Sequence, residues 1–188
     1  TGCASTEPAA WRDARLTEEF SVRATAEVRS FADYLALEER LFSELDEKVY
    51  AVTATGSGND LLRYSTGGAA DPRAWQPNWN RSFELPAPKP VGGVLLLHGM
   101  SDSPYSLRHI ARSYRDHGFV AVAIRMPGHG TVPAALTDIE WEDWDAATRL
   151  AVREARRRAG PSRPLHIVGF SNGGGMAFVL SCTLSDRI

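Results

Sequence analysis

The chain has 188 residues and a formal net charge of −2 at pH 7, and 43% of its residues are hydrophobic. This composition is typical of one folded globular domain and argues against a disordered chain. It contains no basic stripe with interleaved aromatic side chains, so we expect no nucleic-acid partner. No apolar run is long enough to cross a lipid bilayer, so no transmembrane helix is predicted.

The first residues indicate a candidate site of lipid attachment. Thr1-Gly2-Cys3-Ala4-Ser5 resembles the end of a bacterial lipoprotein signal, in which a small residue and a Gly precede a Cys that becomes lipidated. Lipidation of Cys3 would attach the protein to a membrane of the bacterial cell envelope. The alternative is an accidental Gly-Cys pair in a cytoplasmic protein. Residues 1–21 are predicted to be a polar tether, and residues 22–188 to form the domain.

A helix and a hairpin are predicted next. Apolar residues such as Val28, Phe31 and Leu35 recur at helical spacing, which predicts a packing helix over residues 22–48. Two strand-like runs then flank a turn rich in Gly, Ser and Asn, which predicts a β-hairpin over residues 49–66.

Residues 67–90 contain several prolines and are predicted to be irregular. Trp75 and Trp79 in this segment either cover an edge of the core or line a substrate entrance. Packing is the commoner role of a tryptophan in a globular protein, so we favour it here.

Residues 91–188 are predicted to form a mostly parallel sheet with crossover helices. Apolar runs at 94–97, 119–124 and 165–168, the last interrupted by His166, alternate with helical patterns, as in α/β proteins whose strands are covered on both faces. Functional sites in such sheets lie beyond the carboxyl ends of the strands. Three segments follow these ends: His98-Gly99-Met100, Gly128-His129-Gly130 and the segment around Ser171.

The segment Gly169-Phe170-Ser171-Asn172-Gly173 has the G-x-S-x-G pattern between a predicted strand and a predicted helix. In a nucleophile elbow, this pattern exposes a serine at a sharp turn, and glycines avoid the clash that Cβ atoms would cause there. The backbone N–H after the serine, here that of Asn172, is then one donor to an oxyanion. The alternative is a Gly/Ser turn without chemistry.

Taken together, these motifs resemble those of the α/β-hydrolases, and among them the bacterial carboxylesterases and the monoacylglycerol-lipase, lysophospholipase and serine-aminopeptidase type enzymes. The resemblance extends over about residues 91–184. The matching segments are 94–100, 103–107, 125–131, 141–144 and 169–174. The N-terminal helix and hairpin are less diagnostic.

The resemblance implies a serine hydrolase that cleaves an acyl-glycerol or another apolar carboxylic ester through an acyl-enzyme, with no cofactor. Ser171 would be the nucleophile, and the backbone N–H of Met100 would be the second oxyanion donor. His98, Gly99 and His129 would support the site structurally. No metal site is expected, because the histidines lack ligand spacing.

The rest of the catalytic triad is not evident in the sequence. α/β-Hydrolases place the triad acid and then the triad histidine after the serine. In this sequence all five histidines precede Ser171, and Asp186 is the only carboxylate residue after it. The chain therefore resembles the N-terminal half to two-thirds of such an enzyme, as a fragment, a truncated gene or one part of a two-chain protein. His129 could substitute as the base, but a bracing role is favoured.

Two other functions stay open: a non-catalytic or remnant α/β-hydrolase-like domain, and a peptidase or other hydrolase on the same fold.

A sheet that ends at the strand over residues 165–170 would also leave an apolar strand at its edge. Such an edge invites pairing with another chain or aggregation, so we expect the isolated chain either to be marginally stable or to self-associate through this edge.

Overall fold

A computed structural model describes residues 9–23, 26–56 and 58–184. Cys3 and Asp186 lie outside these ranges, so lipid attachment at Cys3 stays a prediction. Within the described ranges, the helices are α1 (Ala10–Asp13), α2 (Phe31–Leu45), α3 (Arg108–Asp116), α4 (Trp141–Ala159) and α5 (Asn172–Leu184). The strands are β1 (Phe83–Leu85), β2 (Gly92–Leu97), β3 (Phe119–Ile124) and β4 (Leu165–Gly169). None of the described helices is long and apolar enough to span a membrane.

The four strands form one sheet in the order β1-β3-β2-β4. Strand β2 runs parallel to β3 and β4, whereas the short β1 pairs antiparallel with β3. The predicted mostly parallel sheet with crossover helices is therefore confirmed. Leu97 is in register with Ile124 on one side and with Gly169 on the other. The carboxyl ends of three strands are thus level, and the loops that follow them share one edge of the sheet.

Both faces of the sheet are covered by helices. In β2, Leu95 and Leu97 pack in a cluster with α2, α4 and α5, whereas Val94 and Leu96 pack in a second cluster with α3. The alternation follows from the pleat of a strand, which points successive side chains to opposite faces. This two-sided burial explains why β2 is apolar at every position.

The hairpin predicted over residues 49–66 is wrong. Residues Asp46–Tyr50 continue from α2 as a π-helical turn, and the described residues from 51 to 66 form turns without a strand. Val49 and Tyr50 pack with Phe42 and Tyr64 in a separate apolar cluster. Burial on this cluster outweighs the strand propensity of the Val-Tyr pair.

The helix predicted over residues 22–48 begins later, at Phe31. Ser30 and Asp33 form a capping box, in which the Asp33 carboxylate accepts from the Ser30 N–H at 2.9 Å and the Ser30 hydroxyl accepts from the Asp33 N–H at 3.1 Å. Such a box fixes the start of a helix.

The predicted tether is wrong for residues 9–21, because this segment packs against the domain. The Trp11 ring stacks on the ring of Tyr64 at 5.6 Å between centroids. Phe20 is 3% exposed and belongs to the main core cluster. The N-terminal residues that the structure describes are therefore part of the globular unit.

Candidate active site

Ser171 lies at the turn between β4 and α5 and is exposed to solvent. Its φ of +52° is in the left-handed region, which non-glycine residues rarely adopt. A Cβ atom on Gly173 would lie 2.6 Å from the carbonyl oxygen of His98, and one on Gly169 would lie 2.5 Å from the amide nitrogen of Gly174. Only glycine fits at both positions, so the two glycines permit the turn that presents Ser171.

The turn at Ser171 contacts the loop that follows β2. The Phe170 N–H donates to the carbonyl of Leu97 at 3.0 Å. The Cβ position of Gly99 is 3.4 Å from the Cβ of Ser171. The structure thus brings together the elbow and the His98-Gly99-Met100 loop, which the sequence places far apart.

Two backbone N–H groups near this contact make no hydrogen bond to any residue that the structure describes. They belong to Met100, after Gly99, and to Asn172, the first residue of α5. The first N–H groups of a helix have no partner within the helix and carry its positive dipole end. Both amides therefore keep a donor that no described residue uses.

His98 joins the loops after β2 and β3. It is fully buried, and its Nε2 accepts from the Met126 N–H at 3.0 Å. The proton must then be on Nδ1, which donates to the carbonyl of Gly99 at 2.9 Å. Burial lowers the pKa of His98 to about 3, so the ring is neutral near pH 7. Both ring nitrogens are engaged, which leaves His98 no capacity to act as a base.

His129 is also buried and bonded within its own loop. Its Nδ1 lies 2.9 Å from the carbonyl oxygen of Pro127, and its ring meets the ring of His98 edge-on at 5.0 Å. Its Nε2 has no partner among the described residues. Burial lowers the pKa of His129. These contacts support the bracing role predicted for it, and none of them reaches Ser171.

A buried ionic cluster, which the sequence analysis missed, holds the loop after β3. Arg125 is 1% exposed in its side chain and pairs with Glu19 and with Glu38, each at 2.9 Å. Its Nη1 also donates to the carbonyl of His129 at 3.0 Å. Burial by itself would lower the pKa of Arg125, but the nearby acidic groups, Glu19 first among them, more than offset this, so the group stays charged.

The two acidic partners come from the N-terminal part of the chain. Glu38 lies on α2, and Tyr34 on the same helix donates its hydroxyl to the carbonyl of Arg125 at 2.6 Å. Glu19 lies in the segment before α2 and meets the guanidinium with both carboxylate oxygens. The N-terminal segment is therefore directly bonded to an edge loop of the candidate site.

A family model described as the alpha/beta hydrolase fold matches residues 93–188, which is just over half of the chain. The chain belongs to the α/β-hydrolase fold family.

Two relatives of this α/β-hydrolase chain are lipolytic. A thermostable monoacylglycerol lipase of Bacillus sp. (strain H-257) is 29% identical over 89 residues, which cover 47% of this chain and 34% of that enzyme. A solved structure from a study of LipS and LipT, two metagenome-derived lipolytic enzymes, is 27% identical with a TM-score of 0.53, and the match covers 58% of this chain and 43% of that one. The chain spans about a third of the curated relative it matches.

Within this α/β-hydrolase chain, the described residues supply no acid or base to Ser171. The Ser171 hydroxyl makes no hydrogen bond to any of them, and the ring hydrogen bonds of His98 and His129 are made to other groups. No group of three or more His, Cys, Asp or Glu side chains in the described ranges is arranged to hold a metal ion. Among the described residues, Ser171 is therefore an exposed serine at a turn with no base or acid bonded to its hydroxyl.

Proposed function

We propose that this chain carries the nucleophile and the oxyanion-binding groups of a serine hydrolase that cleaves carboxylic esters through an acyl-enzyme. One observation carries the proposal: Ser171 is exposed with a φ of +52° at the start of α5 and contacts the Gly99 loop. A strained, exposed serine between a strand and a helix is the geometry of a nucleophile elbow. The lipolytic names of the two relatives support the ester class.

In the proposed mechanism, the hydroxyl oxygen of Ser171 attacks the ester carbonyl, and negative charge develops on the carbonyl oxygen. The N–H groups of Met100 and Asn172 donate to that oxygen, and the positive end of α5 adds to the stabilisation. Loss of one such donor typically costs about 3 kcal/mol of transition-state stabilisation. The hydroxyl proton must pass to a general base. His98 cannot take it, because both of its ring nitrogens are bonded, and no described contact joins His129 to Ser171. The proposal therefore assigns this chain the nucleophile and the oxyanion site only.

The proposed substrate is an acyl-glycerol or another apolar ester. Two exposed apolar side chains flank the proposed nucleophile, Met100 at 49% and Phe170 at 63% exposure. Contact with an acyl chain would remove this apolar surface from water, which is favourable. The curated relative is a monoacylglycerol lipase by name, which supports the same class.

Labelling with a fluorophosphonate tests the proposed nucleophile. We expect the probe to label the chain and the Ser171→Ala variant to lose at least about 90% of the label, because an acyl-enzyme nucleophile is also the atom that attacks phosphorus. Mass spectrometry of the labelled peptide checks the position. Ser101→Ala is the matched control, since Ser101 is also exposed and also has a positive φ, of 59°.

The Ser101→Ala variant should keep its label. This result would show that labelling depends on the reactivity of Ser171 and not only on the exposure and backbone strain that the two serines share. A folded chain that the probe does not label, or equal labelling of Ser171→Ala, would favour the alternative of a non-catalytic or remnant domain.

We also propose that two chains associate through β4. This strand is at one end of the sheet formed by the described residues, and an edge strand presents unpaired N–H and C=O groups. Helix α5 packs against β4 and carries Phe178, whose side chain is 71% exposed. We expect sedimentation velocity to show a dimer that increases with concentration, and Phe178→Glu to weaken it by about tenfold or more.

Trp141→Glu is the control for this measurement, because Trp141 is similarly exposed at 58% but lies on α4. A monomer at every concentration, or equal weakening by both substitutions, would contradict association through β4.

A further inference from the structure

A cavity with aromatic walls lies beside residues 67–90, the segment predicted to be irregular. Its volume is about 340 Å³, and its lining includes Arg63, Trp75, Trp79, Asn80 and Tyr105. Trp79 is 7% exposed and packs in the core, whereas Trp75 and Tyr105 are 59% and 43% exposed. Trp79 therefore has the packing role that was favoured for it, but Trp75 leaves a broad ring face in contact with solvent.

The surroundings of this cavity are cationic. Arg63 lines it, the Arg108 guanidinium lies 3.6 Å from the centroid of the Tyr105 ring, and the Arg112 guanidinium lies 4.9 Å from that of Trp79. No carboxylate of the described residues pairs with any of these three arginines, and no acidic residue lines the cavity. One arginine in the lining, with two more against its aromatic rings, favours an anionic ligand.

Arg63 is held in place but keeps donors available. Its Nη2 donates to the carbonyl of Gly130 at 3.0 Å, and its guanidinium lies 5.3 Å from the ring centroid of Tyr64. Its Nε and Nη1 donate to no residue that the structure describes. A fixed guanidinium with donors to spare matches the planar, two-oxygen geometry of a carboxylate.

We propose that this cavity binds a small aromatic carboxylate. The carboxylate pairs with Arg63, and the ring of the ligand lies against Trp75 and Tyr105, where stacked or edge-on aromatic contacts are favourable. The volume is at the lower end of the range found for small-molecule pockets, which suits a ligand of one or two rings. The site does not depend on the reactivity of Ser171, because an aromatic acid has no ester bond to cleave.

Isothermal titration calorimetry with 2-naphthoate and 2-naphthamide tests this proposal. The two probes share the ring system, but only the first carries a charge. We expect the full chain to bind 2-naphthoate at least about tenfold more tightly than 2-naphthamide, as charge-assisted hydrogen bonds to a guanidinium predict. The difference should shrink as the salt concentration rises.

Two variants test separately the arginine that would bind the carboxylate and the aromatic wall that would contact the ring of the ligand. Arg63→Gln should remove the preference for 2-naphthoate while leaving the binding of 2-naphthamide unchanged, and Trp75→Ala should weaken both probes. Arg163→Gln is the control, because Arg163 is exposed, lies before β4 and pairs with no carboxylate in the described ranges. Equal binding of the two probes, no binding of 2-naphthoate, or 2-naphthoate binding that survives Arg63→Gln would overturn the proposal. Since Trp75 is largely exposed, its replacement tests the site even if Arg63→Gln unfolds the chain.

Discussion

Replacement of Arg125 by Met is expected to lower the free energy of unfolding by about 3–5 kcal/mol, because it removes one side of a buried ion pair. Glu38 is 3% exposed, and burial already raises the pKa of its carboxyl. Without the guanidinium, the fold must either bury this carboxylate without a cation or protonate it, and both are costly. The loss is a large fraction of the total stability of an ordinary domain, which is about 5–15 kcal/mol. Urea unfolding followed by circular dichroism measures it.

Two further variants identify the cause of this loss. Arg40→Met removes an exposed arginine that pairs with Glu18 at 2.9 Å, and it should cost about 1 kcal/mol or less. Adding Glu38→Gln to Arg125→Met should recover part of the stability, because it removes the buried charge that was left alone. A cost for Arg125→Met similar to that of Arg40→Met would show that the buried cluster contributes little.

The Gly173→Ala substitution is expected to cost about 3 kcal/mol or more, since overpacking a close contact destabilises a protein. The added methyl group would press on the carbonyl groups that end β2, with the oxygen of His98 only 2.6 Å away. Backbone atoms cannot move aside as a flexible side chain can. The elbow should therefore shift, and labelling of Ser171 by the fluorophosphonate should be lost together with stability.

Gly175→Ala makes the same chemical change two residues later in α5. Apart from the backbone of α5 and the two neighbouring residues, no atom lies within 4 Å of the Cβ position of Gly175. Ala is also favoured over Gly in a helix by about 1 kcal/mol. This variant should therefore be stabilised by about that amount and keep its label. Equal thermal unfolding of the two variants would contradict the tight contact between the elbow and β2.

The central part of the fold could be predicted because its signals are local. Strand β2 is apolar at every position since it is covered on both faces, and Gly118 ends the helix before β3 with a φ of +85°. The edge strand β1 was not predicted, because three residues are too few to show the alternating pattern of a strand. Its position is set by pairing with β3.

The N-terminal part was harder to predict, because contacts across the chain decide it. Val49 and Tyr50 have the composition of a strand, but they are buried on a cluster that includes Tyr64 and continue as a helical turn from α2. The polar composition before residue 22 suggested a tether. Instead, Glu19 in this segment pairs with Arg125 in the loop after β3, and Glu18 pairs with Arg40 on α2. No spacing in the sequence indicates these pairings.

In the proposed site as well, some features could be predicted from the sequence and others could not. The positions of Ser171 and of the loops after β2 and β3 could be predicted, since parallel strands bring their carboxyl ends to one edge. The hydrogen bonds that fix those loops could not. The sequence cannot distinguish a histidine at a strand end that acts as a catalytic base from one that holds a loop in place. For His98, the hydrogen bonds of its ring to Gly99 and Met126 show that it is neutral and that both ring nitrogens are bonded.

The distance along the chain between Glu19 and Arg125, 106 residues, has a consequence for biosynthesis. A ribosome releases the N-terminus first, so both acidic partners emerge well before the arginine does. Until β3 has been translated, the apolar face of α2 has no sheet to cover and its carboxylate stays hydrated. We therefore expect the nascent N-terminal third to expose apolar surface to chaperones and proteases at least until Arg125 leaves the exit tunnel and its ion pairs can form.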